Sequence, residues 1–146
     1  AARREEGAAL LLVLGGQMDR IGQLTAQAAE IAVGQPAEIK ARFEARMKEL
    51  IGEAVSEERI VQEAAAKAVE AGVGEVVGRL AGHVDAARTL LASAAAVGRR
   101  LDFLTQEFMR EANTLCSKSA LGPLTAVGLD LKATIEQFRE QVQNVE

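Results

Sequence analysis

The residues best equipped for chemistry crowd into one stretch, Val97 to Ser119, VGRRLDFLTQEFMREANTLCSKS. Glu107 and Glu111 are four apart, so a helix puts both carboxylates on one face. Arg110 lies within a turn of each, Asp102, Gln106 and Asn113 stand away from the apolar positions, and Lys118 follows. Carboxylates flanked by Arg, Asn and Lys can hold a divalent cation or handle phosphate. The same set can equally form a solvated, salt-bridged helix face, which is the commoner use of charges at this spacing.

A second group lies upstream. Glu75, Arg79 and His83 follow one another in steps of four and share a helical face. His83 is the only histidine. Imidazole titrates near neutral pH and can move a proton, although a lone histidine is also an ordinary surface or interface residue. The single cysteine, Cys116, excludes an internal disulfide and a Cys-based zinc site. It reads as a small buried apolar residue. There is no Gly-rich phosphate loop and no Ser–His–Asp order.

The elements that position these groups must be helices. Hydrophobic residues make up 49 % of the 146, but aromatics only 3 %, so the apolar mass is Ala, Leu, Val and Ile. No alternating β-branched run suggests a strand. Within the central stretch, Val97, Leu101, Leu104, Phe108 and Leu115 make one stripe at helical spacing. The chain therefore predicts an all-α, antiparallel bundle of about five helices, two of them long, forming a single domain over 1–146 that self-associates.

The expected helices are about 3–33, 37–52, 56–94, 97–119 and 124–144. Leu10, Leu14, Ile21, Leu24, Ala28 and Ile31 stripe the first, which Gly34-Gln35-Pro36 should end. Ile39, Phe43, Met47, Leu50 and Ile51 stripe the second. Ser56-Glu57-Glu58 reads as the cap of the third, whose Gly72 and Gly74 predict a kink or a close approach to another helix. Val127, Leu131, Ile135, Phe138, Val142 and Val145 give the last a coiled-coil-like seam. Ala8 to Leu14 is apolar all round, which suggests a second partner surface.

The net charge is −4, which argues against broad nucleic-acid affinity; Arg99, Arg100, Arg110 and Lys118 form the densest local basic set. No apolar run of about 18 residues exists to span a membrane. No secretory signal is visible, so a cytoplasmic protein is expected. The start, Ala1-Ala2-Arg3-Arg4, lacks Met and reads as a fragment or processed chain.

Longer words in the chain carry a resemblance. They are Gly98-Arg99-Arg100-Leu101-Asp102-Phe103-Leu104, Gln106-Glu107-Phe108, Arg110-Glu111-Ala112-Asn113-Thr114-Leu115 and Ser117-Lys118-Ser119. Leu131-Lys132, Ile135-Glu136-Gln137 and Arg139-Glu140-Gln141-Val142-Gln143-Asn144 continue them. Upstream, Glu6-Gly7-Ala8-Ala9-Leu10, Gln62-Glu63 and Arg79-Leu80-Ala81-Gly82-His83 keep the order. Together they resemble the C-terminal helical region of the YicC/YloC family of bacterial endoribonucleases.

The resemblance implies metal-dependent RNA cleavage with Mn²⁺ or Mg²⁺, ring-like oligomers, and a further N-terminal domain not seen in these residues. On that basis Glu75, Glu107 and Glu111 would place the cation, with His83, Glu107 and Glu111 catalytic. Arg79, Arg99, Arg100, Arg110, Asn113 and Lys118 would hold phosphate oxygens. No DNA specificity is implied.

The same resemblance exposes departures. The family pattern has acidic residues where Gly72 and Val76 stand, an Asn where Met109 stands, and polar residues where Ala120 to Pro123 follow Ser119. Fewer carboxylates imply an impaired site. Two explanations stand at this point: a diverged nuclease, or a non-catalytic engineered scaffold re-surfaced with apolar residues for assembly.

Overall fold

The structure, a computed structural model, describes residues 2–51, 56–93, 98–119 and 122–144. Side chains are described over 7–34, at scattered positions between 37 and 49, and from 72 onward within those ranges. The described residues form four α-helices and no strand: α1 Ala2–Ile51, α2 Ser56–Ala92, α3 Gly98–Lys118 and α4 Gly122–Val142.

The all-α expectation holds, but the described residues form four helices rather than five. The expected helices over 3–33 and 37–52 are one, because α1 runs through Gly34-Gln35-Pro36. An interior proline removes one hydrogen bond and costs about 3 kcal/mol. The surrounding sequence is rich in Ala, Glu, Lys and Gln, strong helix formers that favour continuing the helix. Of the alternatives expected at Gly72 and Gly74, α2 shows no interruption, being continuous from Ser56 to Ala92. Close approach explains Gly72 instead. A Cβ there would lie 2.9 Å from Nζ of Lys118, whose stem crosses α2 at that point.

Neighbouring helices pack in a ring, α1 on α2, α2 on α3, α3 on α4 and α4 back on α1. Cross-helix contacts give the directions. Arg79 meets Glu111, and Gly72 meets Lys118, so α3 ascends as α2 descends. Cys116 meets Gly128, and Ser119 meets Thr125, which sets α4 antiparallel to α3. Arg88 pairs with Asp19 at 3.5 Å and lies over Gly22, fixing α1 against α2.

The predicted stripes form the core. Leu14, Ile21, Leu24 and Ala28 of α1, Leu101, Leu104, Phe108 and Leu115 of α3, and Val127, Leu131, Ile135, Phe138 and Val142 of α4 are all buried. α2 adds Val73, Val76, Val77, Leu80, Val84 and Ala87. Burying each large aliphatic side chain contributes roughly 1.5–3 kcal/mol. Val97, Val145, the side chains of the 39–51 stripe and the Ser56 cap lie outside the described residues. α1, at about 75 Å, is more than twice the length of α3, so the short pair can flank only part of it.

The apolar start of α1 divides. Leu14 is fully buried, whereas Leu11, Leu12 and Val13 are 43 %, 79 % and 45 % exposed. No described helix is long and apolar enough to cross a membrane.

Candidate active site

The chemistry gathers where α2 packs on α3. Both helices turn their stripes toward the core, so the residues flanking each stripe meet along the seam. From α2 these are Glu75, Arg79 and His83. From α3 they are Glu107 and Glu111, which flank Phe108.

Glu111 is the centre of the group. It is a carboxylate on the core side of α3 and only 5 % exposed. A buried carboxylate needs partners, because an uncompensated charge in the interior is costly. Arg79 supplies one, donating Nε–H to Glu111 Oε1 at 2.9 Å. This bond and the nearby carboxylate charges hold the Arg79 guanidinium above the usual arginine value, so its charge persists across the neutral range. Arg79 also lies 3.9 Å from Glu75, at its Nη1.

The other Glu111 oxygen, Oε2, is buried and has no hydrogen-bond partner among the described residues. The same is true of His83 Nε2. Phe108, fully buried, meets the His83 ring edge-on at 5.8 Å between centroids, which restrains the imidazole. His83, Glu107 and Glu111 each offer a ligand atom, and these atoms all lie within 4.8 Å of one another. Two carboxylates and an imidazole at this separation match the ligand types taken by Mn²⁺-like divalent cations. The two unpartnered buried atoms are what such an ion would satisfy. By this test the residues fit a divalent cation.

The structure thus brings together Glu75, Arg79, His83, Glu107 and Glu111, in two tiers. His83 joins Glu107 and Glu111 in the ligand cluster, the place expected of Glu75. Glu75 stands outside it, 72 % exposed at its side chain and tied to Arg79. Lys118 is at the far end of the same seam, over Gly72. Arg110 and Asn113 are exposed. Arg99 and Arg100 lie at the opposite end of α3, beside Phe103.

Of the departures, Gly72 lies on the seam under Lys118, while Val76 and Met109 belong to the core. Val76 is fully buried in the core, and Met109 packs partly buried against it. By helical rotation Met109 falls on the α4 side of Phe108, opposite Glu107. Neither Val76 nor Met109 is among the three residues of the ligand cluster. The pairing of Arg79 with Glu111 was not foreseen, nor was the role of Phe108. The available signal was the placement of Arg79 midway between Glu75 and His83 in four-residue steps.

Comparison with known proteins agrees with the words noted in the sequence. A family model described as endoribonuclease YicC-like, C-terminal, matches residues 28–146. A Haemophilus influenzae protein named probable endoribonuclease YicC is 46 % identical over 89 residues, which are 61 % of this chain and 31 % of that protein. A Clostridioides difficile protein of the same name is 28 % identical over 146 residues, 99 % of this chain and 50 % of that one. The chain spans at most about half the length of these curated relatives, matched at 31 % and 50 %. With its seam residues and four-fifths of its length inside the matched region, this chain belongs to the family of YicC-like endoribonuclease C-terminal domains.

Proposed function

We propose that this domain carries the cleavage centre of a metal-dependent endoribonuclease, located on the α2–α3 seam. The observation that carries the proposal is the pair of buried, unpartnered ligand atoms, Glu111 Oε2 and His83 Nε2, beside Glu107. The names of the relatives supply the substrate class.

His83, Glu107 and Glu111 would hold a divalent cation, Mn²⁺ or Mg²⁺. When bound, such an ion stabilises phosphoryl charge and makes water a better nucleophile near neutral pH. Arg79 fixes Glu111 by its Nε–H bond, and its half-exposed guanidinium edge, with Glu75 3.9 Å from Nη1, faces a phosphate. Phe108 keeps the His83 ring in place and excludes water from one side of it. Lys118, at the end of the seam, adds a mobile positive charge for a neighbouring phosphate. With Gly72 offering no carboxylate and Glu75 outside the cluster, cation affinity is expected to be modest.

Self-association and a cytoplasmic setting are part of the same proposal. The exposed Leu11, Leu12 and Val13 support association, because large apolar side chains left open to water on successive sides of a helix favour a contact. The decisive experiment combines light scattering with cleavage of a labelled RNA, with and without Mn²⁺. Metal-dependent cleavage that disappears in Glu111→Gln is expected. A folded wild-type chain that cleaves no RNA at saturating Mn²⁺ refutes the reading.

A further inference from the structure

The α2–α3 seam continues past the ligand cluster. Phe103 is four residues before Glu107 and Ala86 three after His83, so both lie about one turn, roughly 6 Å, further along. There the seam opens into a cavity of about 480 Å³, walled by Ala86 and Leu90 of α2 and Phe103 and Leu104 of α3, with Arg99 and Arg100 completing the lining. Phe103 is 62 % exposed, an aromatic ring left open to solvent. Both arginines are exposed, and neither is ion-paired to a described residue. Both also occupy the first turn of α3, where the helix dipole favours acidic side chains and none is present. An open aromatic face beside two guanidinium groups that have no ion-pair partner among the described residues complements one chemistry in particular, a flat π-system attached to an anion.

We propose that this cavity is a nucleobase subsite. An unpaired base of single-stranded RNA stacks on Phe103, and the adjoining phosphate is held by Arg99 and Arg100, about one nucleotide from the cleavage cluster. The identity of the ligand as RNA rests on the function proposed above. The walls offer the base little to read. Apart from the arginines they are apolar save for Thr89, whose hydroxyl is already donated to the Asp85 carbonyl at 3.0 Å. Stacking without edge recognition accepts any base, so weak sequence preference is expected.

The test is fluorescence anisotropy of a short fluorescein-labelled single-stranded RNA with the whole chain in EDTA, which reads binding without cleavage. Phe103→Ala is expected to weaken binding about tenfold or more. Phe103→Trp should restore it. Arg99→Gln with Arg100→Gln should lower both the affinity and its salt dependence. Exposure of all three residues lets these variants fold, which circular dichroism verifies.

Unchanged affinity in Phe103→Ala overturns the proposal, as does a loss that Phe103→Trp fails to restore. A fall in assembly mass on Phe103→Ala, with affinity per chain intact, also overturns it and makes the cavity a contact between copies. Cleavage is scored separately with Mn²⁺. Phe103-dependent binding by a chain that cleaves nothing would remove the nuclease reading and leave the subsite standing.

Discussion

Arg79 on α2 donates to only one of the two Glu111 oxygens on α3, at 2.9 Å, and so decides which oxygen is left for a ligand. The bond does two jobs. It compensates a carboxylate that is only 5 % exposed, and it fixes that carboxylate's rotation. Arg79→Ala should lower the melting temperature, because the Glu111 carboxyl group is left buried without a partner. Glu111→Gln should lower it less, since a neutral amide tolerates burial better. The double variant should be less destabilised than the sum, as expected for one coupled pair. Thermal denaturation of the four proteins measures this; strict additivity would mean the pair is not coupled.

Cation binding should appear as stability. A ligand that binds only the folded chain adds about 2.7 kcal/mol at a hundredfold excess over its dissociation constant. Mn²⁺ is therefore expected to raise the melting temperature of the wild type and to do nothing for Glu111→Gln. Equal shifts in both proteins would place the ion elsewhere.

Two glycines should respond in opposite directions to alanine. At Gly72 the obstacle is Lys118 Nζ at 2.9 Å, the far end of a flexible chain that can swing away. Gly72→Ala should then stabilise by up to about 1 kcal/mol through helix propensity. At Gly128 the added carbon would sit 2.6 Å from Cys116 Sγ, with the Cys116 backbone 3.9 Å away. Gly128→Ala should destabilise by about 1–3 kcal/mol through overpacking. In a Cys116→Ala background the penalty should vanish. Urea denaturation of the set checks all three.

The exposed start of α1 gives a surface prediction. Leu12 is 79 % exposed, so Leu12→Lys should change chain stability by no more than about 0.5 kcal/mol. If this face joins copies, the same change should lower the mass measured by light scattering at fixed concentration. A mass that does not move assigns association to another surface.

Much of this was legible in the residues alone. The stripes through Leu101, Leu104, Phe108 and Leu115, and through Leu131, Ile135 and Phe138, are the core because periodicity reports which face of a helix is buried. Periodicity does not report which helix that face meets. Arg110, beside Glu111 in the chain, is exposed, and Arg79 from another helix is the residue that bonds Glu111. Gly34-Gln35-Pro36 carried a strong local turn signal that the helix overrode. His83 read as either a surface imidazole or a proton carrier. Its place in the ligand cluster depends on the register of α2 against α3, which no local pattern encodes.

Every member of the ligand cluster, and Arg79 with it, lies inside a helix; none is on a loop. This makes the site tolerant of one kind of genetic change and brittle to another. Residues can be added or removed between Ala92 and Gly98 without altering the face that either helix presents. A single residue inserted between Arg79 and His83, or between Glu107 and Glu111, turns everything beyond it by about 100° and scatters the cluster. Natural variation in length should therefore collect at the helix connections, while the spacings 79–83 and 107–111 stay fixed.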